Sequence, residues 1–253
     1  NTGLDAARGE YVYFLDSDDV PRAEALWRLT QAAREKQLDI AKARFCFLND
    51  ETGELTDGAA ICPTDVLEGG ALLAAQCQSG TYEPMVWQCV YRRAFLLENG
   101  LRMAEGLLFE DELFQAPALS RAKRAAVFDA VILEYRQRPG SIMASFARSA
   151  RWCASYAQVC ARLDALARTL PSGAARAALQ RRVGQIALNV GKNIPAYRLP
   201  PTVAGEAMAF LKAHRWELAR YALKSGDAAI AAQGALLLLS PKLFVGMYRR
   251  VMP

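Results

Sequence analysis

Apolar and polar positions fall into two regimes along the chain. Through residues 1–146 short apolar runs alternate with helical spacing. Residues 4–8 read as the last turns of a helix stopped at Gly9. Tyr11 to Leu15 is an apolar, aromatic run of strand length that ends in Asp16-Ser17-Asp18-Asp19. Such a strand places its acidic residues at its C-terminal edge, where open α/β sheets bind ligands. Pro21 to Gln37 has amphipathic helical spacing with Pro in its first turn. Ile40 to Leu48 predicts a second strand, and Asn49 to Gly58 a turn-rich connection within a hairpin. Thr64 or Asp65 is placed to cap a helix running to about Cys77. Val86 to Tyr91 reads as a short strand or extended piece, and Arg93 to Glu98 as a helix with Gly100 just beyond it. Glu110 to Arg121 predicts a helix with an acidic first turn, which Pro117 should kink or end. Ala125 to Tyr135 reads as a strand and Arg136 to Ser141 as a loop.

From Phe146 onward only helical spacing remains, in segments near 147–169, 174–192, 202–224, 227–239 and 241–250. Pro171, Pro195, Pro200, Pro201 and Pro241 punctuate them. The expectation is therefore an α/β sheet domain over residues 1–146 and an all-helical region over 147–253. Charge divides at the same place. Residues 1–146 carry 15 Lys+Arg against 22 Asp+Glu, a net −7, and residues 147–253 carry 16 against 4, a net +12. An acidic half suits a divalent cation, and a basic half suits anionic lipid, phosphorylated ligands or an acidic protein.

Composition excludes several classes. At 53% hydrophobic and 23% charged the chain is globular, not disordered. The six cysteines (Cys46, Cys62, Cys77, Cys89, Cys153, Cys160) contain no C-x-x-C pair, which argues against a zinc site or a disulfide scaffold. Ala228 to Leu239, the longest apolar stretch, is broken by Gln233 and Gly234, so no membrane-spanning helix is predicted. His214 is the only histidine and sits in a helical pattern, so no histidine pair exists for metal or triad chemistry. No aromatic-basic platform points to nucleic acid.

Three segments carry candidate chemistry. Carboxylates at Asp16, Asp18 and Asp19 can converge on a hard divalent cation such as Mg²⁺ or Mn²⁺, which bridges a diphosphate. The plainer alternative is an acidic turn before the next helix. A rival reading fits the first motif of haloacid-dehalogenase-like phosphatases, with Asp16 as nucleophile and Asp18 as general acid. No matching downstream Lys and Gly-Asp-x-x-x-Asp set accompanies it. Glu110 and Asp111 open a helix, where a carboxylate can act as general base toward a hydroxyl, or simply suit the helix dipole. Arg136, Arg138 and Ser141 lie in Tyr-Arg-Gln-Arg-Pro-Gly-Ser, a plausible phosphate clamp or else a solvated basic turn.

In this order the segments resemble the family 2 glycosyltransferases of the GT-A fold. The resemblance is carried by Asn1 to Tyr11, Phe14-Leu-Asp-Ser-Asp-Asp19, Trp87 with Tyr91 to Arg102, Glu105-Gly with Phe109-Glu-Asp-Glu-Leu-Phe114, and Tyr135 to Met143. It implies transfer of a sugar from a nucleotide-diphosphate donor, a UDP-sugar, to a hydroxyl on a glycan or lipid-linked acceptor. The family is mostly inverting, and bacterial members serve cell-surface glycan or polysaccharide synthesis. The resemblance assigns the cation to Asp18 with Asp16 or Asp19 assisting, and the base to Asp111 beside Glu110. It sets Arg136, Arg138 and Ser141 near the diphosphate and Trp87 in the wall of a sugar pocket. The family's first βα units precede the residues matching Asn1, so the expectation is a truncated GT-A-like sheet domain without its N-terminal nucleotide-binding segment. A cytoplasmic protein is expected, peripheral at the inner membrane face if Lys242 to Met252 lies on anionic lipid. A non-catalytic docking module is the other alternative.

Overall fold

The computed structural model describes residues 1–58, 61–138, 150–196 and 200–251. The chain forms two compact units: Asn1–Glu105 with Glu110–Pro139, and Gly106–Phe109 with Gly140–Pro253. The expected change at residue 146, like Ser141, lies outside the described residues.

The first unit is built on a mixed sheet of β1 (Tyr11–Tyr13), β2 (Val20–Pro21), β3 (Ile40–Asn49), β4 (Leu55–Asp57), β5 (Cys89–Arg92) and β6 (Ala125–Gln137). The order is β1-β5-β3-β6-β2, with β4 beside β3. Only β3 and β6 pair in parallel, from Ile40↔Ala125 to Asn49↔Gln137. They form the spine of the sheet, with Ile40, Ala41, Ala43, Ile132 and Leu133 all at 0% exposure. Helix α1 (Thr2–Ala6) precedes β1, and α2 (Ala23–Glu35) covers one sheet face. There Leu29 and Ala33 pack on Ala41, Phe45, Trp87 and Val90. Helices α3 (Gly69–Ser79) and α5 (Glu110–Arg121) pack together, and α4 (Arg93–Glu98) follows β5. Gly69 permits the approach of α3 to α5, because a Cβ there would collide with the Leu119 carbonyl and Ala122.

Three local expectations are corrected, and of the two effects expected of Pro117 the helix end is excluded. Pro21 is not in a helix: Val20 and Pro21 pair with Glu134 and Leu133 as a short edge strand, where a missing N–H is tolerated. Thr64 and Asp65 do not cap a helix. Thr64 and Leu67 instead exchange hydrogen bonds with Val127 and Ala125 on the open flank of β6, which delays α3 to Gly69. Pro117 lies inside α5 without ending it. Arg136 belongs to β6, not to a loop, because β3 and β6 stay paired to Asn49↔Gln137.

The second unit is helical among its described residues: α6 (Ala150–Thr169), α7 (Ala174–Ala196), α8 (Pro201–Leu223), α9 (Ala228–Leu239) and α10 (Pro241–Val251). These follow the five predicted segments closely, although α7 runs on through Pro195. Val159, Leu163, Leu179, Ile186, Leu211 and Phe244 build its core. Gly191 lets the Phe244 ring lie against α7, a position where any Cβ would overlap that ring. Among the described residues no helix is long and apolar enough to cross a membrane.

Candidate active site

The acidic turn is positioned from both ends. Val20 and Pro21 pair antiparallel with β6, so the residues just before Val20 face those just after Glu134. Arg136 exploits that register. Its amide donates to Asp19 Oδ1 at 2.9 Å, its Nε to the Asp18 carbonyl at 2.8 Å and its Nη1 to Asp50 Oδ1 at 2.5 Å. Arg138 Nη2 pairs with Asp18 Oδ2 at 2.8 Å. The turn closes on itself through the Asp19 amide and the Asp16 carbonyl, 3.2 Å apart.

This arrangement leaves negative charge in surplus. Asp19 is only 9% exposed, and its Oδ2 is buried with no hydrogen-bond partner. Burial pushes its pKa up to about 6, against the pull of the Arg136 amide, and Asp16 and Asp18 raise it further. Asp16 is raised by desolvation and by Asp18, but it is exposed on its outer side, so water screens it.

At the start of α5, Asp111 is half-buried. Burial is the largest cause raising its pKa to about 7, followed by Glu110, Asp16 and Glu112, while the Val86 amide draws it down. The fold therefore brings Asp16 and Asp111, far apart in sequence, into electrostatic range. A carboxyl poised near neutrality beside an acidic turn can accept a proton from a hydroxyl.

The donor set is hard carboxylate oxygen, one of it buried and unsatisfied, which fits a divalent cation in chemistry. Asp16, Asp18 and Asp19 share one turn, yet among the described residues no three such side chains converge on a point. Asp18 is instead turned to Arg138 and Asp19 to the Arg136 amide.

Trp87 is 5% exposed and stacks on Tyr135, with centroids 5.3 Å apart and planes 13° apart, while Phe45 meets it edge-on. It thus stands in an aromatic cluster with Phe45, Phe47 and Tyr135. Two residues at this site escaped the sequence reading. The Tyr13 hydroxyl is buried with no hydrogen-bond partner, and burial raises its pKa, with Cys89, Asp19 and Asp16 adding to the effect. Tyr135 is likewise raised by burial and by Asp19, Asp16 and Asp18. The available signal was position alone: Tyr13 ends β1 and Tyr135 precedes Arg136. A hollow of about 440 Å³ between α2 and β6, beside Leu29 and Phe128, is lined by none of these carboxylates.

Residues 1–94 match the model for glycosyl transferase family 2. That match and the relatives below support a family 2 glycosyltransferase, and the sheet unit has a GT-A-like α/β fold. It is similar to the uncharacterized glycosyltransferase YibD of Escherichia coli, at 32% identity over 53% of this chain and 40% of that protein. It is also similar to the uncharacterized glycosyltransferase EpsJ of Bacillus subtilis, at 30% over 56% and 42%. The succinoglycan biosynthesis protein ExoO of Rhizobium meliloti matches at 28% over 56% and 42%. The match therefore spans well under half the length of these relatives. In fold, the crystal structure of S. aureus TarS 1-349 in complex with UDP-GlcNAc superposes with a TM-score of 0.68 at 18% identity, covering 100% of this chain and 69% of that one. The match over residues 1–94, which takes in Asp16, displaces the phosphatase reading of that residue.

Proposed function

We propose that the complete protein transfers a sugar from a nucleotide-diphosphate donor to an acceptor hydroxyl with inversion. The observation that carries this reading is Asp111, half-buried, raised to about 7, and in electrostatic range of the acidic turn at Asp16. Asp111 removes the acceptor proton as the acceptor oxygen bonds to the anomeric carbon. The bond from that carbon to the diphosphate breaks on the opposite side, and the electron pair leaves with the nucleotide diphosphate. Glu110 beside it helps to keep the carboxyl basic.

Asp18, assisted by Asp16 and Asp19, would hold Mg²⁺ or Mn²⁺, a Lewis acid that offsets charge on the diphosphate. The unsatisfied Asp19 Oδ2 supports that assignment. Arg136 holds the turn in place, and Arg138 and Ser141 meet the diphosphate. Trp87 backs the sugar pocket from beneath, through Tyr135.

A UDP-sugar donor is supported by TarS, which was crystallised with UDP-GlcNAc and with UDP. A role in cell-surface polysaccharide synthesis, on a glycan or lipid-linked acceptor, is supported by the succinoglycan relative. Docking of the helical unit on anionic lipid is favoured by Leu239 and Leu243, 75% and 59% exposed on either side of Lys242. Calorimetric titration with UDP in Mn²⁺, with Asp18→Asn as control, tests the donor site. Binding that needs both Mn²⁺ and Asp18 supports the reading. Binding indifferent to both refutes the cation assignment.

A further inference from the structure

On one face of the sheet, three aromatic rings link the acidic turn to the helix of Asp111. Val12 pairs with Tyr91 in the β1–β5 register, so Phe14, two residues on, projects to the same face as Tyr91. The Phe14 and Tyr91 rings meet edge to face, with centroids 5.8 Å apart. Phe114 of α5 closes the triangle, 5.4 Å from Phe14 and 5.5 Å from Tyr91. Phe14 stands just ahead of Asp16 and Leu15, and Phe114 lies one helical turn beyond Asp111.

A polar pair is buried in this cluster. The Tyr91 hydroxyl donates to Gln115 Oε1 on α5 at 2.5 Å, and both residues are fully buried. Gln115 Nε2 reaches Cys89 Sγ at 3.4 Å, so both ends of the amide are tied to β5. Phe114 and Gln115 follow Asp111 by three and four positions, which places all three on one side of α5.

The start of α5 is poorly fixed by its own backbone. The chain enters it through Phe109 at φ 64°, in the left-handed region that residues with a side chain seldom adopt. Pro117 lacks the amide that would bond the Leu113 carbonyl one turn earlier. Contacts with β5 must therefore set where the helix lies. Two hydrocarbon side chains in place of Tyr91 and Gln115 would fill the core with little change in stability. They would lack direction, because a hydrogen bond holds only over a narrow range of length and angle.

We propose that the Tyr91–Gln115 pair positions Asp111 by fixing the setting of α5 on β5. This rests on the reading of Asp111 as the proton acceptor. Neither member of the pair touches the reacting atoms; both act through the helix.

The test is the double variant Tyr91→Phe/Gln115→Leu of the complete gene product, beside wild type and Asp111→Asn. The double variant keeps the ring triangle and removes both polar groups, so its urea midpoint should stay close to wild type. Hydrogen exchange at the α5 amides should nevertheless speed by about tenfold or more, with β3 and β6 unchanged. With a UDP-sugar as donor, kcat should fall by about tenfold or more while KM moves less than about twofold. Should the double variant not fold, Tyr91→Phe alone, which deletes one oxygen, is read by the same measures. Wild-type exchange in α5 overturns the proposal with no substrate present. Wild-type kcat in the double variant, with Asp111→Asn inactive, overturns it and leaves the proton acceptor standing. Wild-type turnover by Asp111→Asn refutes the proton acceptor itself, and this proposal with it.

Discussion

Arg138 Nη2 stands 2.8 Å from Asp18 Oδ2, while Arg136, two residues earlier, binds the Asp18 carbonyl through Nε at the same distance. The two arginines that resembled one phosphate clamp are therefore unequal. Arg136 is woven into the turn through Asp18, Asp19 and Asp50. Arg138 makes a half-exposed ion pair that solvent screens.

The inequality should appear in stability. Arg138→Met is expected to cost under about 1 kcal/mol in urea denaturation. Arg136→Met removes charge-assisted bonds to Asp18 and Asp50 and is expected to cost about 2–3 kcal/mol. Equal losses would show that Arg136 does not hold the turn.

The raised carboxyls fix the sign of a pH effect. Asp19 at about 6 and Asp111 at about 7 both lie above the ordinary value of 3.8. The folded state therefore binds these protons more tightly than the unfolded chain. Their contribution to stability is full below about pH 4 and is lost as pH rises through 6 to 7. Asp19→Asn, which keeps the oxygen facing the Arg136 amide, should stabilise the protein at pH 8 by on the order of 2 kcal/mol, and much less at pH 4. Chemical denaturation at both pH values, without divalent cations, reads the difference. Destabilisation at pH 8 would contradict the surplus charge.

Elsewhere in the sheet unit, Asp39 is 4% exposed and accepts Arg92 Nη2 at 2.6 Å and the Lys123 amide at 2.8 Å. Arg92→Met leaves that carboxylate buried with only backbone donors. A loss of about 3 kcal/mol is expected from thermal or urea melting. A loss below about 1 kcal/mol would mean that the backbone amides suffice.

Much of this was legible in sequence, for reasons that differ by element. The five C-terminal helices carry long apolar periodicity and proline punctuation, so their limits came out within a few residues. Ile40 to Leu48 and Ala125 to Tyr135 are mostly apolar, interrupted only by Lys42, Arg44, Asp129 and Glu134, because β3 and β6 are largely buried along their pairing. Val20–Pro21 was not legible, since a two-residue edge strand exists only because β6 runs past it. Nor was Thr64 to Leu67, whose partners lie on β6 near Ala125. The acidic turn and the Glu110–Asp111 helix start could be read from residue type. The unsatisfied Asp19 Oδ2, the buried Tyr13 hydroxyl and the aromatic stack of Trp87 on Tyr135 arise from tertiary neighbours, which no local pattern encodes.

Sugar transfer here turns on Asp111 taking the acceptor proton. The measurement that tests it most directly is UDP release by the complete gene product from UDP-sugars with cell-envelope glycan acceptors, comparing wild type with Asp111→Asn across pH 5–9. Wild-type turnover should rise as pH passes through about 7, where Asp111 ionises. Asp111→Asn should lose at least ~100-fold in kcat while staying folded and binding UDP unchanged. Wild-type turnover by Asp111→Asn, with the same pH profile, would contradict the account.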